Sequence, residues 1–343
     1  MPRFHETPDL SSAAVTQADR GTMSPDVNGL AGSEVFAPLL AQLSRGLIGT
    51  DQLVPRSSGL FASHQRWLLW HAALAHCFNA AHARQGKLSR RLFGRLGLRD
   101  GISSRNTALA FFDDALAFGI ICATGTVDER GGQEVAPTAK AISLLVDWYR
   151  IHVEVLDGID GGGRTAWLMA NPKRALALIQ PAMADGLLSV PEARNPGPLH
   201  AIFTWADAGG LLMDRLVAGI EVKAVGRQAH LPTDIMSIAS LILATGVSRA
   251  HASRKLSAAE AIGGIGWTGL RGRSPIWISC DFYGEYARAQ VHKLLILDRA
   301  IARARALLSA AADPVNSVRV ECEGPKYATP PTSISAAFHA LAR

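Results

Sequence analysis

The sequence lacks the features that define several protein classes. Its cysteines (Cys77, Cys122, Cys280 and Cys322) lie far apart, without a CxxC pair or Cys/His ligand spacing. This usage argues against a disulfide scaffold or a zinc finger and fits a reducing compartment. No apolar run approaches the roughly 18 residues of a membrane helix, and the first residues are not apolar as in a signal peptide. We therefore expect a soluble cytoplasmic protein with no membrane partner.

Aromatic residues and catalytic motifs are also scarce. Aromatics make up 6% of the 343 residues, whereas 48% of the residues are hydrophobic. This composition excludes global disorder and favours helices packed through Ala and Leu over a β-sandwich. No GxSxG, HExxH or paired-carboxylate signature is present. We expect no enzymatic activity and no cofactor, with an enzyme built on the same scaffold as one alternative.

Two glycine-rich stretches do not predict a nucleotide site. Residues 264–269 (GIGWTG) match GxGxxG, but a predicted helix precedes them and a predicted hairpin follows, the reverse of the dinucleotide-binding order. Residues 158–164 lack the GK[ST] ending of a phosphate-binding loop. A helix end with a turn, and a linker, explain the two stretches better.

Composition shifts predict five segments. The first 33 residues are rich in Ser, Thr, Asp, Pro and Gly, and a second glycine-rich break begins near Asp157. Helical spacing of apolar residues dominates between the breaks, although Pro181 predicts an interruption. The predicted segments are a disordered tail over 1–33, a first domain over 34–157, a linker with helix over 158–198, a second domain over 199–310, and a C-terminal tail over 311–343.

An internal repeat connects the two predicted domains. Residues 104–121 (SRNTALAFFDDALAFGII) and 248–265 (SRAHASRKLSAAEAIGGI) are identical at seven of eighteen positions. Ser104 and Ser248 are suited to cap a helix, and Gly119 and Gly263 to end it in a left-handed conformation. A predicted hairpin and a long helix follow each copy; Thr138 caps the first long helix, and Asp281 opens the second.

This order resembles the winged helix-turn-helix, most nearly that of the MarR-like transcriptional regulators. The resemblance covers residues 61–157 and 202–308. It implies a mainly α fold with small β-hairpin wings, in which one chain holds two winged units as a pseudodimer. It further implies that the helices that begin at Ser104 and Ser248 contact double-stranded DNA.

Basic residues cluster at both repeats. Residues 84–105 hold seven cations against Asp100, and residues 246–273 hold five against Glu260, in a chain of net charge +6. Lys and Arg supply phosphate contacts, and recognition-helix N-termini reach base edges. Asp113 and Asp114 are expected to face away from phosphates. The predicted DNA-binding residues are Ser104, Arg105, Asn106, Thr107, Arg130, Ser248, Arg249, His251, Arg254, Lys255, Arg271 and Arg273.

A helix predicted from residue 61 to residue 83 carries three histidines and two tryptophans. His64, His71 and His82 are spaced by 7 and 11 residues and share a helical face. Metal ligands on one helix are normally three or four residues apart, so a helix-interface role is favoured over a metal site. Core packing is favoured for Trp67 and Trp70, with a small-molecule effector pocket as the alternative.

The sequence thus predicts a sequence-specific DNA-binding regulator of transcription, associated with the nucleoid, as a monomeric pseudodimer or a homodimer. A replication initiator of the plasmid type is the first alternative, because tandem winged helices occur there too. A structural partner protein, similar to the winged-helix subunits of chromosome condensation complexes, is another. Those subunits tend to be acidic, whereas both predicted DNA-binding regions of this chain are basic.

Overall fold

The computed structural model describes most of the chain between residues 26 and 310. The described residues are 26–52, 60–61, 63–81, 87–99, 101–195, 197–204, 209–243, 245 and 247–310. Of the predicted tails, residues 1–25 and 311–343 lie outside the described residues, whereas Val27–Ala31 within the predicted N-terminal tail form a short helix, α1.

The described residues are mainly helical, as the sequence predicted. Two further helices precede the first sheet: α2 (Phe36–Gln52) and α3 (His64–Ala81). The first set of strands and helices is β1 (Leu88–Ser89), α4 (Arg90–Arg99), α5 (Arg105–Ala117), β2 (Ile121–Val127), β3 (Gln133–Pro137) and α6 (Ala139–Asp160). The connecting helices are α7 (Arg164–Ala170), α8 (Pro172–Ser189), α9 (Pro191–Arg194) and α10 (Pro198–Thr204). The second set is α11 (Gly209–Ala218), β4 (His230–Pro232), α12 (Ile238–Leu243), α13 (Arg249–Ala261), β5 (Ile265–Trp267), β6 (Ile276–Ser279) and α14 (Cys280–Ala310).

With α3 placed before β1, the first set has the same order of elements as the second, apart from a 3₁₀ turn (Val222–Ala224) between α11 and β4. We call residues 64–160 unit 1 and residues 209–310 unit 2. In each unit a helix is followed by a short strand, two helices, a hairpin and a long helix. The sheets are antiparallel, with strand orders β1-β3-β2 and β4-β6-β5, so the second strand of the hairpin is central in both.

Local hydrogen bonds at the repeated helices follow the sequence predictions. Ser104 Oγ accepts from the Thr107 amide at 3.1 Å, and Ser248 Oγ accepts from the His251 amide at 3.3 Å. Each serine satisfies an amide that a helix N-terminus leaves without a partner. The predicted caps are therefore confirmed, as is the cap by Thr138 on α6.

The ends of α5 and α13 also match. Gly119 and Gly263 have φ of +66° and +74°, a left-handed conformation that favours glycine. Beyond them, the Ile120 amide donates to the Ala115 carbonyl and the Gly264 amide to the Ala259 carbonyl, both at 2.8 Å. Such bonds satisfy carbonyls that the helix leaves open at its end.

The prediction of a break at Pro181 is wrong. Pro181 lies inside α8, which continues to Ser189. An internal proline removes one helical hydrogen bond, but α8 buries Ile179 and Met183 and packs against both α3 and α14. This burial on both sides offsets the local cost of the proline.

Helices outside the two units connect them. α2 packs against α6 of unit 1 and α11 of unit 2, and α8 packs against α3 and α14. Arg164, 8% exposed at the start of α7, binds Asp160 on α6 at 2.6 Å and Asp298 on α14 at 2.7 Å. No helix in the described ranges is both long and apolar enough to cross a membrane.

The described cysteines differ in their chemical state. Cys77 and Cys280 are free thiols, and burial raises the pKa of Cys77 to about 12. Cys122 on β2 is disulfide-bonded, and one such bond does not amount to the disulfide scaffold that the sequence argued against.

Candidate nucleic-acid interface

The N-terminus of α5 presents the predicted residues of unit 1 to solvent. Arg105 and Asn106 are exposed, and Thr107 is half-buried. The Thr107 hydroxyl lies 2.9 Å from Ser104 Oγ, so it belongs to the helix cap. The exposed side chains of this first turn are therefore those of Arg105 and Asn106.

The N-terminus of α13 has the same arrangement in unit 2. Arg249 and Arg254 are exposed, and His251 is half-buried. Lys255 differs, because its ammonium group donates to the Ile202 carbonyl of α10 at 2.5 Å. Lys255 thus helps to attach α13 to the preceding helix, and we do not include it among the free cations of this surface.

The hairpins carry the remaining predicted arginines. Arg130 is exposed at the β2–β3 turn, which Asp128 closes by accepting from the Arg130 amide at 3.0 Å and the Gly132 amide at 2.8 Å. These backbone amides lower the pKa of Asp128. The turn is thus a fixed support for an exposed arginine.

In unit 2 the two hairpin arginines differ. Arg273 is exposed, whereas Arg271 binds Glu260 at 3.2 Å and Ser257 Oγ at 3.3 Å. Since Glu260 and Ser257 belong to α13, Arg271 attaches the hairpin to the helix. Only Arg273 of this pair extends without an ion pair among the described residues.

Acidic side chains neutralise part of the basic cluster in unit 1. Asp113 binds Arg90 through two hydrogen bonds of 2.9 and 2.8 Å, and this guanidinium lowers the pKa of Asp113. Asp114 binds Arg66 at 2.8 Å, and Lys87 binds Glu134 at 2.8 Å. The acids on α5 are therefore compensated by neighbouring arginines. Arg91 and Arg95 on α4 remain exposed cations of the cluster, while Arg84 lies outside the described residues.

A second candidate site lies inside the molecule. His64, Trp67, Trp70 and His71 of α3 all line a cavity of about 260 Å³. The shared face predicted for His64 and His71 is confirmed, and His82 lies outside the described residues. Within the described part of the chain, no group of three His, Cys, Asp or Glu side chains is arranged to hold a metal.

The sequence prediction missed the polar residues on the opposite wall of this cavity. Asp214 of α11 and Tyr286 and Lys293 of α14 lie there, more than 130 residues along the chain from α3. The signal available in the sequence was Lys293, a cation with Val291 before it and the apolar residues 294–297 (LLIL) after it. A lone cation on an apolar helical face indicates that the charged side chain has a specific role or partner. It does not identify the helix that faces it.

Comparison with known proteins gives no relative from which a function can be transferred. The chain matches no protein-family model, and neither a curated protein nor a solved structure is significantly similar to it.

Proposed function

We propose that this chain binds double-stranded DNA in a sequence-specific manner and acts in the control of transcription. In this proposal, units 1 and 2 are two winged helix-turn-helix units of one chain, similar to MarR-like regulators. α5 and α13 are the recognition helices, and the two hairpins are the wings. The DNA contacts comprise Arg105, Asn106 and Arg130 in unit 1 and Arg249, Arg254 and Arg273 in unit 2.

One observation carries the proposal: an exposed arginine follows the serine cap of a helix beside a hairpin, and this arrangement occurs twice. The helix order and the central position of the second hairpin strand are the same in both units. In winged helix-turn-helix proteins this order places the third helix in the major groove. An arginine in the first turn of such a helix can donate two hydrogen bonds to guanine.

The charge distribution supports nucleic acid over other anionic partners. Exposed arginines lie at the helix N-termini (Arg105 and Arg249) and on the hairpins (Arg130 and Arg273), where a duplex would place phosphates next to base edges. Helix N-termini themselves favour phosphate, since their amides and dipole present positive charge. The surface thus combines phosphate binding with donors that can read bases.

The test is the salt dependence of binding to duplex DNA. Fluorescence anisotropy with random and selected duplexes should give an affinity that falls steeply between about 50 and 300 mM salt, with a log–log slope of about −4 or steeper if five or more phosphates are contacted. Absence of binding at low salt, or an affinity independent of salt, would refute the proposal.

A matched pair of double variants locates the interface. Arg105→Ala with Arg249→Ala should weaken binding by at least about tenfold, which corresponds to about 1.4 kcal/mol. Arg299→Ala with Arg303→Ala removes the same charge from exposed positions of α14 and should have a much smaller effect. Equal losses for the two pairs would mean that net charge alone, and not these helices, determines binding.

A further inference from the structure

The helix that precedes each proposed recognition helix differs in charge between the two units. The register that aligns Ser104 with Ser248 also aligns Arg99 and Leu243, the last residues of α4 and α12. α4 has four arginines among ten residues and no acid, whereas none of the six residues of α12 is charged. The uncharged stretch around α12 extends over residues 235–248. Equivalent positions of the two units thus have different chemistry.

Two arginines form a charged face on α4. Arg91 and Arg95 are four positions apart, so they lie on the same side of the helix, and both are exposed. No described carboxylate forms an ion pair with either of them, in contrast to Arg90, whose guanidinium binds Asp113 of α5. These two side chains are therefore available to an external anion.

Arg91 also lies beside the hairpin of unit 1. The Gly132 and Arg130 amides lower the pKa of Asp128 at the hairpin turn, and the positive field of Arg91 adds to their effect. Since Arg130 is exposed on the same turn, the charged face of α4 continues onto the hairpin. The two surfaces can contact neighbouring phosphates of one strand.

Glycines bring α4 close to the proposed recognition helix. A β-carbon on Gly97 would lie 2.8 Å from Ser103 Oγ and 2.9 Å from the Ala108 β-carbon, so a larger residue would force the two helices apart. A β-carbon on Gly94 would lie 3.5 Å from Arg105 Cγ. The Arg105 side chain thus passes α4 at Gly94, within one helical turn of both Arg91 and Arg95.

The equivalent face of α12 is exposed and apolar. Ala239, which aligns with Arg95, is exposed, and the Leu243 side chain is 87% exposed. Neither residue can bind a phosphate, since Lys, Arg and polar donors supply such contacts. The difference therefore concerns a surface that both units present to solvent.

We propose that the exposed face of α4 binds DNA backbone phosphates next to the half-site that α5 reads, and that the equivalent face of α12 lies beside the duplex without a phosphate contact. This inference rests on the proposed function and adds Arg91 and Arg95 to its contacts. A symmetric dimer has identical contacts at both half-sites, whereas this chain divides them unequally. Phosphate contacts carry no sequence information, so α4 strengthens binding to any duplex.

A double variant tests the contribution of α4. Arg91→Ala with Arg95→Ala should make the log–log salt slope less steep by about two and weaken binding at about 100 mM salt by at least about tenfold. The loss should be equal on selected and scrambled duplexes. Arg91→Lys with Arg95→Lys keeps both charges and should retain the slope, and Arg299→Ala with Arg303→Ala on α14 is the matched control.

The outcomes separate this inference from the proposed function. If the wild-type chain binds DNA with a steep salt dependence and the α4 variant has the same slope, the inference is wrong and the proposed function stands. A larger loss on the selected duplex than on the scrambled one would show that these arginines read bases. Absence of wild-type binding would overturn both proposals.

A gain of charge tests the placement of α12. Ala239→Arg with Leu243→Arg adds two cations at exposed positions and should make the salt slope steeper by about two. Ala302→Arg with Ala306→Arg adds the same charge at the same spacing on the exposed side of α14 and should change the slope much less. No change for the α12 variant, or equal changes for both variants, would overturn the placement of α12 beside the duplex.

Ethylation interference on the selected site shows where the α4 contacts lie. Phosphates whose ethylation blocks binding of the wild-type chain, but not of the Arg91→Ala, Arg95→Ala variant, should all belong to one half-site. The same change at both half-sites would contradict the unequal division, and no change at either would exclude α4 from the interface.

Discussion

Arg249 and Arg273 carry the same charge at two different places of unit 2. Arg249 is exposed in the first turn of α13, and Arg273 is exposed on the hairpin. In the proposed function, the helix position reaches base edges and the hairpin position reaches phosphates. Substitutions of Arg249 and Arg273 should therefore change different properties of DNA binding, and by different amounts.

We expect Arg249→Ala to cost about 1–3 kcal/mol on the preferred site and to weaken sequence preference, and Arg273→Ala to weaken all sequences evenly and lower the salt slope by about one. Binding to selected and scrambled duplexes over a range of salt concentrations measures both effects. If Arg249→Ala loses the same affinity on both duplexes, Arg249 contacts only phosphate.

The buried histidines make stability depend on pH. Burial lowers the pKa of His71 and His152 to about 3, below the value of about 6.5 in an unfolded chain. The unfolded chain therefore takes up protons that the folded chain does not. Folding free energy is lost as pH falls below about 6.5, by up to about 1.4 kcal/mol per pH unit for each histidine. Asp214, whose pKa is raised to about 6, acts in the opposite direction between about 6 and 4.

His71→Gln should reduce this pH dependence. Glutamine keeps an acceptor for the Gln180 amide but does not titrate, so the slope of unfolding free energy against pH should fall by up to about 1.4 kcal/mol per unit between about pH 6 and 4.5. Urea unfolding at several pH values measures the slope. His230→Gln, at an exposed position of β4, is the control and should leave the slope unchanged; a similar change in both variants would exclude burial as the cause.

At the scale of elements, Arg164 joins three helices. It begins α7 and binds Asp157 and Asp160 of α6 at 3.5 and 2.6 Å and Asp298 of α14 at 2.7 Å. The Asp157 carboxylate also accepts from the Arg164 and Thr165 amides, each at 2.8 Å, and these bonds lower the pKa of Asp157. The glycine-rich stretch after α6 is therefore held by a charged cluster.

Arg164→Met should destabilise the protein by about 1–3 kcal/mol. Removal of one partner from a fully buried pair costs about 3–5 kcal/mol, but the Asp160 and Asp298 side chains are 50% and 40% exposed, so solvent screens part of the loss. Urea unfolding near neutral pH measures the change, with Arg299→Met on α14 as the exposed control. If the two variants are equally stable, the cluster contributes nothing to stability.

At the scale of the whole molecule, the two proposed reading helices are unequal. Their first residues are Arg105-Asn106-Thr107 in unit 1 and Arg249-Ala250-His251 in unit 2. The donors and acceptors differ, so the two units should prefer different half-sites. One chain with two units also removes the need for a symmetric dimer, which reads a palindrome.

We therefore expect selection from random duplexes to yield an asymmetric site that binds one chain. Sequencing of the selected pool gives the symmetry, and sedimentation of the complex gives the number of chains. Recovery of a perfect palindrome, bound by two chains, would contradict the prediction. It would indicate that each of two chains contributes the same DNA-binding unit.

The sequence by itself determined the local features of this protein. Serine caps, left-handed glycines and apolar spacing depend on a few neighbouring residues, so α5, α13 and the hairpins after them could be predicted. The prediction of a break at Pro181 was wrong because it considered only the local effect of proline on a helix. The burial of α8 between α3 and α14 depends on contacts with distant parts of the chain.

Only the tertiary structure decided which side chains meet. Lys255 and Arg271 belong to a basic stretch of sequence, but contacts with Ile202 and Glu260 show that they hold α13 in place. The cavity combines α3 with α14, and no spacing along one chain segment reveals that Lys293 lies 5.5 Å from the Trp67 ring. The physical reason is that caps and turns are set by hydrogen bonds over a few residues, whereas charge compensation and cavities depend on packing between distant helices.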